Sequence, residues 1–298
     1  MHDFDYEAPT SLTEAMALVA RHGGRARMMA GGTDLIDQIR MGRFAPDLLI
    51  DVKRIPELNQ LASTDDGLRV GAAVPCFRIY GESKVVQHYT ALADSCRIIG
   101  GVQIQSRASI GGNLCNSGPA ADSTPSMIAL GGVAIAEGPD GRRDIPVETF
   151  CTGPGKNALQ PFELLTEIRF DTPAPHSGSC YRRLIPRNEM DIAVVGVGAA
   201  VTLDPEGRNF ISARVALGAV AATPLFVEDA GTSLMGQPVN DATIEKAAGA
   251  TREAASPITD MRGTKEYRLH VTAVLTRRVI NAAVARARGE TVDYRPGH

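Results

Sequence analysis

Two pairs of adjacent glycines, about eighty residues apart, constrain this chain more than any other feature of its sequence. The first pair is Gly31-Gly32 and the second is Gly111-Gly112. Adjacent glycines let the main chain take positive φ and let backbone N–H groups approach a phosphate without interference from a Cβ atom. Two such segments can share one long ligand, so the joint pattern favours a dinucleotide.

The first pair lies between a strand-like stretch at residues 26–30 and a helical pattern that Gly42 closes. N–H groups at the start of a helix lack internal partners and can bind an anion. Thr33 adds a hydroxyl donor, and Asp34 is expected to cap the helix. The alternative is a tight strand-to-helix connection that binds nothing. The candidate ligand-binding segment is Ala30, Gly31, Gly32, Thr33, Asp34 and Leu35.

The second pair lies in a segment, residues 100–122, that we predict to be a loop system because it is too rich in glycine for helix or strand. Asn113 offers both a donor and an acceptor, and Asp122 can accept a hydrogen bond from a ribose or ribityl hydroxyl. Turn formation and helix capping are the alternative roles of both residues. The candidates here are Ser109, Ile110, Gly111, Gly112, Asn113 and Asp122.

Composition restricts the class of protein. The chain has 298 residues, 44% hydrophobic and 22% charged, which predicts a globular protein of about two domains. Its 31 basic and 34 acidic residues give a net charge of -3, so we expect no nucleic-acid partner.

No apolar run is long enough to span a membrane and no secretory leader is evident, so we expect a cytoplasmic protein. The five cysteines lie far apart without a Cys-x-x-Cys motif, so a redox group would be organic, with no metal site.

Secondary structure is predicted from capping and periodicity. Ser11 and Glu14 have the spacing of a capping box at the start of a helix. Strands and helices then alternate, with one longer helix over residues 84–99 and a hairpin at 139–141. Proline, glycine and small polar residues at 172–179 predict a domain boundary. Beyond it we expect strands at 193–203 and 211–220, then three helices, the last from 264 to about 288.

Motifs of other enzyme classes are lacking. A Rossmann turn would require a third glycine after Gly196-x-Gly198, and this pair lies inside an apolar strand-like run. The sequence has no nucleophile elbow, zinc-protease motif or Walker motif, and its six histidines are scattered. We therefore assign no catalytic residue. Arg183 is the preferred candidate for an arginine that reaches across the domain boundary to a ligand.

Five segments in order carry a resemblance to a known family: residues 30–35, 109–113, 119–122, 163–168 and 191–195. With them the chain resembles the FAD-binding medium subunit of molybdenum hydroxylases, the group that includes xanthine dehydrogenase and carbon monoxide dehydrogenase. The resemblance extends over nearly the whole chain. Several motifs in the same order are far more specific than any one of them.

The resemblance implies an α+β fold in two parts. The first is an FAD-binding domain of the vanillyl-alcohol-oxidase (PCMH) type at residues 1–176, made of α/β subdomains at about 1–55 and 56–176. The second is a smaller domain at 177–298, with a sheet and helices, like the C-terminal domain of the carbon monoxide dehydrogenase flavoprotein.

The resemblance also implies roles for particular residues. Segment 30–35 would hold the pyrophosphate and segment 109–113 would also contact FAD. Gly101, Asp122, Leu165 and Arg183 complete the expected FAD-binding set. The sequence departs from the family pattern at Gln105-Ser106, Ser109 and Phe162. Serine in place of a frequent threonine keeps the hydroxyl, whereas Gln105 and Phe162 leave local flavin contacts open.

The function implied is that of an electron relay. A molybdenum-cofactor large subunit would oxidise an N-heterocycle or aldehyde, and a small subunit with iron–sulfur (2Fe-2S) clusters would pass electrons to FAD in this chain, in a dimer of heterotrimers. FAD would deliver the electrons to a terminal acceptor. One alternative is a stand-alone flavin oxidase or reductase acting on an alcohol or sugar nucleotide. Another is a scaffold subunit without cofactor.

Overall fold

The computed structural model describes residues 3–292 and shows an α+β protein with three main sheets. The strands are β1 Asp5–Glu7, β2 Ala26–Met29, β3 Leu48–Asp51, β4 Leu61–Thr64, β5 Gly67–Gly71, β6 Val133–Gly138, β7 Gly141–Pro146, β8 Cys151–Gly153, β9 Lys156–Asn157, β10 Leu164–Asp171, β11 Ser177–Leu184, β12 Val195–Leu203, β13 Phe210–Gly218 and β14 Leu225–Phe226. The helices are α1 Leu12–His22, α2 Leu35–Arg40, α3 Cys76–Gly81, α4 Ser83–His88, α5 Thr90–Cys96, α6 Val102–Gln105, α7 Ile110–Asn116, α8 Ser123–Ala129, α9 Val147–Phe150, α10 Glu228–Leu234, α11 Asp241–Ala254 and α12 Lys265–Ala287.

The first sheet is small and parallel, with strand order β1-β3-β2. Parallel neighbours need a crossover, and α2 lies in the connection between the neighbouring strands β2 and β3. The predicted capping of α1 is confirmed, since the Ser11 hydroxyl accepts from the Glu14 N–H at 3.2 Å. Glu14 itself accepts from the Thr10 N–H, one residue before the cap. The short helix α2 follows β2 directly, so the first diglycine turn lies at the carboxyl end of β2.

The second sheet is antiparallel, with strand order β4-β5-β10-β6-β7. The strand β10 lies at its centre and pairs with β5 on one side and β6 on the other. The predicted hairpin is confirmed as β6 and β7, joined by Pro139 and Asp140. Helices α3 to α8 lie in the chain between β5 and β6, so they carry the second diglycine segment.

The third sheet is antiparallel, with strand order β11-β12-β13-β14, and the long helix α12 packs against β11 and β12. The Thr264 hydroxyl caps α12 by accepting from the Tyr267 N–H at 3.2 Å, and the helix ends just before Gly289 as predicted. One buried apolar cluster fills the space around the first two sheets, and another lies between the third sheet and helices α10 to α12.

Buried polar contacts join the third sheet to the helices that precede it. Asp94 of α5 pairs with Arg286 of α12 at 2.6 Å and also accepts from the Tyr181 N–H of β11 at 3.1 Å. Arg286 donates to the Ser179 carbonyl at 2.7 Å, and the Thr90 hydroxyl contacts the same serine. These contacts fix β11 against α5, and so fix the position of Arg183 farther along β11.

The single helix predicted over residues 84–99 is wrong, because the chain forms α4 and α5 with a break at Tyr89. This residue takes φ −121° and ψ 49°, outside the helical region. Its side chain is buried, its hydroxyl donates to the Asp171 carbonyl at 3.1 Å, and its ring lies 6.1 Å from that of Phe170. Tertiary contacts of one tyrosine therefore override the helical periodicity.

The prediction that residues 100–122 form an irregular loop system is also wrong in part. Two short helices lie within the segment, α6 and α7. Gly111 and Gly112 lie inside α7, where the Ser109 hydroxyl accepts from the Gly112 N–H at 3.0 Å. A well-placed cap and tertiary packing outweigh the low helix propensity of two glycines. Within the described residues, none of the helices is apolar enough over sufficient length to cross a bilayer.

Candidate functional site

A cleft of about 600 Å³ lies where the three parts of the fold meet. Its walls are formed by the end of β2, by α2, by α7, and by β11 with the loop that follows it. The helices α2 and α7 both contribute lining residues, beginning in the first turn of each helix. The main contributors are Arg27, Met29, Ala30, Gly31, Gly32, Thr33, Asp34, Leu35, Gln38, Arg43, Phe44, Ile99, Gly100, Ile104, Ser109, Gly112, Asn113, Asn116, Asp122, Gly155, Asn157, Arg183, Asp191 and Ile192.

The first diglycine turn has a backbone that only glycine can supply. Gly32 takes φ +75°, in the left-handed region. A Cβ built on Gly31 would lie 2.0 Å from the Arg107 carbonyl oxygen, so the chain before α7 packs directly on this glycine. The Lys53 ammonium group stabilises the turn, because it donates to the Ala30 carbonyl at 2.9 Å and pairs with Asp51 at 2.7 Å. The turn is thereby fixed in place.

The N–H groups of this turn are available to a ligand. Those of Gly31 to Asp34 have no acceptor among the described residues, while the turn closes through the Ile36 N–H on the Gly32 carbonyl at 3.1 Å. The expected capping role of Asp34 is wrong, since its side chain makes no hydrogen bond at the start of α2. Burial, with a smaller effect of Asp37, raises the pKa of Asp34. A cluster of unpaired N–H groups lining a cleft is suited to an anion.

The two glycines of α7 have different roles. A Cβ on Gly111 would lie 2.4 Å from the Ala72 carbonyl oxygen, so this glycine allows α7 to pack against the chain that follows β5. Gly112 faces the cleft, and a Cβ built on it would lie 4.0 Å from the Cβ of Ala30. The first turn of α7 therefore lies beside the first diglycine turn, and both line the cleft.

Asn113 and Asp122 also line the cleft. The Asn113 side-chain oxygen accepts from the Ser123 hydroxyl at 2.6 Å, which fixes the amide at the cleft wall. Asp122 is buried and accepts from the Tyr181 hydroxyl at 2.8 Å. Burial raises its pKa to about 6, against the opposing effects of Arg183 and Tyr181. Near neutral pH the carboxylate is charged and its pairing is with Arg183.

Arg183 crosses from β11 to the cleft as the sequence suggested. Its buried guanidinium pairs with Asp122 and donates to the Ile98 carbonyl at 2.8 Å and the Asp191 carbonyl at 3.2 Å. The guanidinium is therefore held at the wall of the cleft by three acceptors from three segments of the chain.

The structure brings most of the predicted site residues together. Residues 30–35, Ser109, Gly112, Asn113, Asp122 and Arg183 all line the cleft. The remaining candidates, Gly101, Ile110, Gly111 and Leu165, are not among its lining residues in the part of the chain described here. Ile110 and Leu165 belong to the apolar core.

The departures Gln105 and Phe162 also lie off the described lining. Gln105 is buried, donating to the Arg97 carbonyl at 2.7 Å and accepting from the Tyr80 hydroxyl at 3.0 Å, so its role is packing. Phe162 is 43% exposed and takes φ +70° in the loop before β10.

The sequence analysis missed several lining residues, in particular Arg27 on β2 and Arg43 and Phe44 just after α2. Asn116 and Asn157 were missed as well. Asn116 accepts from the Gln38 side chain at 2.9 Å, and Asn157 donates to the Cys115 carbonyl at 2.9 Å. An aromatic residue beside basic residues at 43–44 was a weak signal. The β8–β9 hairpin contacts α7 only in the folded chain, so no local sequence pattern predicts this contact.

The donor set fits a dinucleotide. A diphosphate matches the unpaired N–H groups of Gly31 to Asp34, and Gly112, which has no side chain, lies close to this turn on the lining of the cleft. Arg183 and Arg43 also line the cleft. FAD carries a diphosphate of this kind between its two halves.

Comparison with known proteins gives the family. Residues 2–173 match the FAD binding domain in molybdopterin dehydrogenase, and residues 180–283 match the CO dehydrogenase flavoprotein C-terminal domain. The chain is 34% identical over 294 residues to the xanthine dehydrogenase FAD-binding subunit of Escherichia coli O157:H7, covering 97% of this chain and 99% of the relative. It is 32% identical over 285 residues to the carbon monoxide dehydrogenase medium chain of Afipia carboxidovorans, covering 96% and 98%.

Solved structures agree. A carbon monoxide dehydrogenase chain from Hydrogenophaga pseudoflava superposes with a TM-score of 0.91 at 30% identity, over 95% of this chain and 98% of that one. Quinoline 2-oxidoreductase from Pseudomonas putida 86 superposes with a TM-score of 0.88 at 27% identity, over 96% and 98%. The sequence resemblance and the α+β fold are thus confirmed, and the chain belongs to the family of FAD-binding subunits of molybdenum hydroxylases.

Proposed function

We propose that this chain carries FAD in the cleft between the first diglycine turn, the start of α7 and Arg183, and that it relays electrons within a molybdenum hydroxylase complex. A partner with iron–sulfur clusters supplies the electrons, which leave for a terminal acceptor during oxidation of an N-heterocycle or aldehyde. The single observation that carries the proposal is the close approach of Gly112 to the first diglycine turn, whose N–H groups at residues 31–34 have no acceptor among the described residues.

Each group in the cleft has a role in this proposal. The N–H groups of residues 31–34 bind the diphosphate, with Thr33 as an added donor. Asn113, as donor and acceptor, and Asp122, as acceptor, orient the ribityl chain of FAD by hydrogen bonds to its hydroxyl groups. Arg183, in its ion pair with Asp122, places guanidinium N–H donors near the flavin ring, where negative charge accumulates on reduction. When bound, FAD supplies the capacity to store and release electrons, and the protein supplies position and electrostatics.

The named relatives favour the relay over a stand-alone oxidase, since they are subunits of dehydrogenases. We place the partner chains as a molybdenum-cofactor large subunit and an iron–sulfur small subunit, assembled as a dimer of heterotrimers in the cytoplasm. Residues 1–176 would form the FAD-binding domain and residues 177–298 the C-terminal domain, in line with the separate apolar clusters.

The test uses the purified complex and the chain alone. We expect the complex to show flavin absorbance near 450 nm that bleaches when an oxidisable substrate is added without oxygen. The chain alone should bind FAD and oxidise no such substrate. Direct turnover by the isolated chain would support the stand-alone alternative, and a colourless chain that takes up no FAD would support the scaffold.

A further inference from the structure

Three exposed arginines and two exposed aromatic residues lie together on a surface outside the lining of the cleft. The arginines are Arg54, Arg78 and Arg107, and the aromatic residues are Tyr6 and Phe77, which are 54% and 45% exposed. None of the five is among the described lining residues of the cleft. We call this group the arginine–aromatic surface, and no step of the proposed function uses it.

Contacts around one carboxylate bring Tyr6, Arg54 and Arg107 together. The Tyr6 hydroxyl donates to one oxygen of Asp51 at 2.5 Å, and Lys53, the residue before Arg54, pairs with the other at 2.7 Å. The hydrogen bond to Asp51 raises the pKa of Tyr6, while the charges of Arg54 and Arg107 oppose that rise. Both guanidinium groups therefore lie near the Tyr6 hydroxyl.

The helix α3 adds Phe77 and Arg78 to the same surface. The N–H of Cys76, at the start of α3, donates to the Ala108 carbonyl at 2.8 Å, so this helix begins beside the last arginine of the surface. The Arg78 guanidinium donates to the Asn59 carbonyl at 3.0 Å. Asn59 belongs to the connection between β3 and β4, which also carries the first arginine of the surface.

The arginine–aromatic surface has an excess of positive charge. Its three arginines form no ion pair with a carboxylate among residues 3–292, and two of them donate to main-chain carbonyls. Glu57 is exposed on the connection between β3 and β4 and supplies one negative charge. Asp5 and Glu7 alternate with Tyr6 along β1, so their side chains point to the opposite face of the strand.

We propose that the arginine–aromatic surface docks an acidic face of a partner subunit in the complex. This inference rests on the proposed function, which places the chain among other subunits. Aromatic residues and arginine are enriched at protein interfaces and dominate their binding energy. A guanidinium is more weakly hydrated than an ammonium, so it is less costly to bury against a carboxylate. An anionic membrane is disfavoured as the occupant, because the whole chain has a net charge of -3.

Competition for incorporation into the complex tests the proposal. Wild-type and variant full-length chains with different tags are co-expressed with the subunits that copurify with this chain, and mass spectrometry measures their ratio in the purified complex. We expect R54E and R78E each to be incorporated at least fivefold less than the wild type, and R54E/R78E at least tenfold less, because like charges then meet at the interface. R54K and R78K keep the charge and should lose less than twofold. R252E, exposed on α11 and without an ion pair in the described part of the chain, is the matched control.

Thermal unfolding of the isolated chains separates docking from folding. Midpoints of R54E and R78E should stay within about 2 °C of the wild type, since both side chains are exposed. If a midpoint falls further, R54A and R78A, which remove the charge without reversing it, give the same comparison.

Incorporation of R54E/R78E within twofold of R252E would overturn the inference. Loss of binding to phosphatidylserine vesicles by R54E/R78E, with normal incorporation, would overturn it as well, because the surface would then face a membrane. A wild-type chain that copurifies with no other subunit would instead count against the proposed function, and the two failures are thereby distinguished.

Discussion

The Asp122 carboxylate and the Arg183 guanidinium form an ion pair that is buried at the cleft, although the two residues lie 61 positions apart in the chain. Asp122 precedes α8, whereas Arg183 lies on β11 of the third sheet. The Tyr181 hydroxyl, from the same strand, donates to the other carboxylate oxygen. The Asp122–Arg183 ion pair therefore fixes the third sheet against the wall of the cleft.

Replacing Arg183 by methionine should lower the free energy of unfolding by about 3–5 kcal/mol, because it leaves a buried carboxylate without its charged partner. Urea unfolding followed by circular dichroism measures the loss. The matched control is R187M, since the Arg187 side chain is 70% exposed and its pairing with Asp191 contributes at most about 1 kcal/mol. A loss from R183M no larger than that of the control would contradict the structure.

The ionisation of Asp122 gives stability a specific pH dependence. Burial raises its pKa in the folded chain to about 6, above the ordinary value of 3.8. Between these two values the folded chain keeps a proton that the unfolded chain has released. The contribution of Asp122 to stability therefore falls as pH rises through this window, by about 3 kcal/mol in total at about 1.4 kcal/mol per pKa unit.

The D122N variant isolates this effect, since asparagine does not ionise. We expect the free energy of unfolding of the wild type, minus that of D122N, to decrease from pH 4 to pH 6.5 and then to level off. Asp34, whose pKa is also raised by burial, is present in both proteins and cancels in the difference. A difference that increases with pH would mean that attraction to Arg183 exceeds the cost of burial.

Gly31 should tolerate no side chain. In G31A the new Cβ would meet backbone atoms of Arg107 and Ala108, which cannot move without displacing the segment before α7. We expect a loss of several kcal/mol in stability and at least tenfold weaker FAD binding. G24A is the matched control, because nothing lies within 4 Å of a Cβ there and the backbone is not left-handed. Thermal unfolding and flavin titration of both variants give the comparison, and similar behaviour of the two would contradict the close packing at Gly31.

Local sequence predicted the elements whose determinants are local. The cap at Ser11, the hairpin around Pro139 and the long helix after Thr264 depend on residues within one or two turns of each other. The break at Tyr89 could not be predicted, because it depends on contacts with Phe170 and Asp171, eighty residues away in the chain. The central position of β10 in the second sheet is likewise set by pairings over long distances in sequence.

The same distinction applies to the site. The diglycine turn at residue 31 was predicted because positive φ and unpaired N–H groups follow from a local motif. Gly111 was assigned to the ligand, but its missing side chain serves the packing of α7 on Ala72. Arg27 and Arg43 were missed because only the folded chain shows that both contact the Phe44 ring and line the cleft.

A second buried pair, Asp94 with Arg286, should matter to stability and not directly to the flavin. It joins α5 to α12 directly, and Arg286 also donates to the Ser179 carbonyl of β11, outside the lining of the cleft described here. R286L should lower the free energy of unfolding by about 3–5 kcal/mol, because the buried Asp94 loses its charged partner. R277L should cost at most about 1 kcal/mol, since the Glu245 side chain that it pairs with is 60% exposed. Under conditions where R286L remains folded, its FAD affinity should stay within threefold of the wild type in the same titration. A selective loss of FAD binding without loss of stability would place Arg286 in the site rather than in the scaffold.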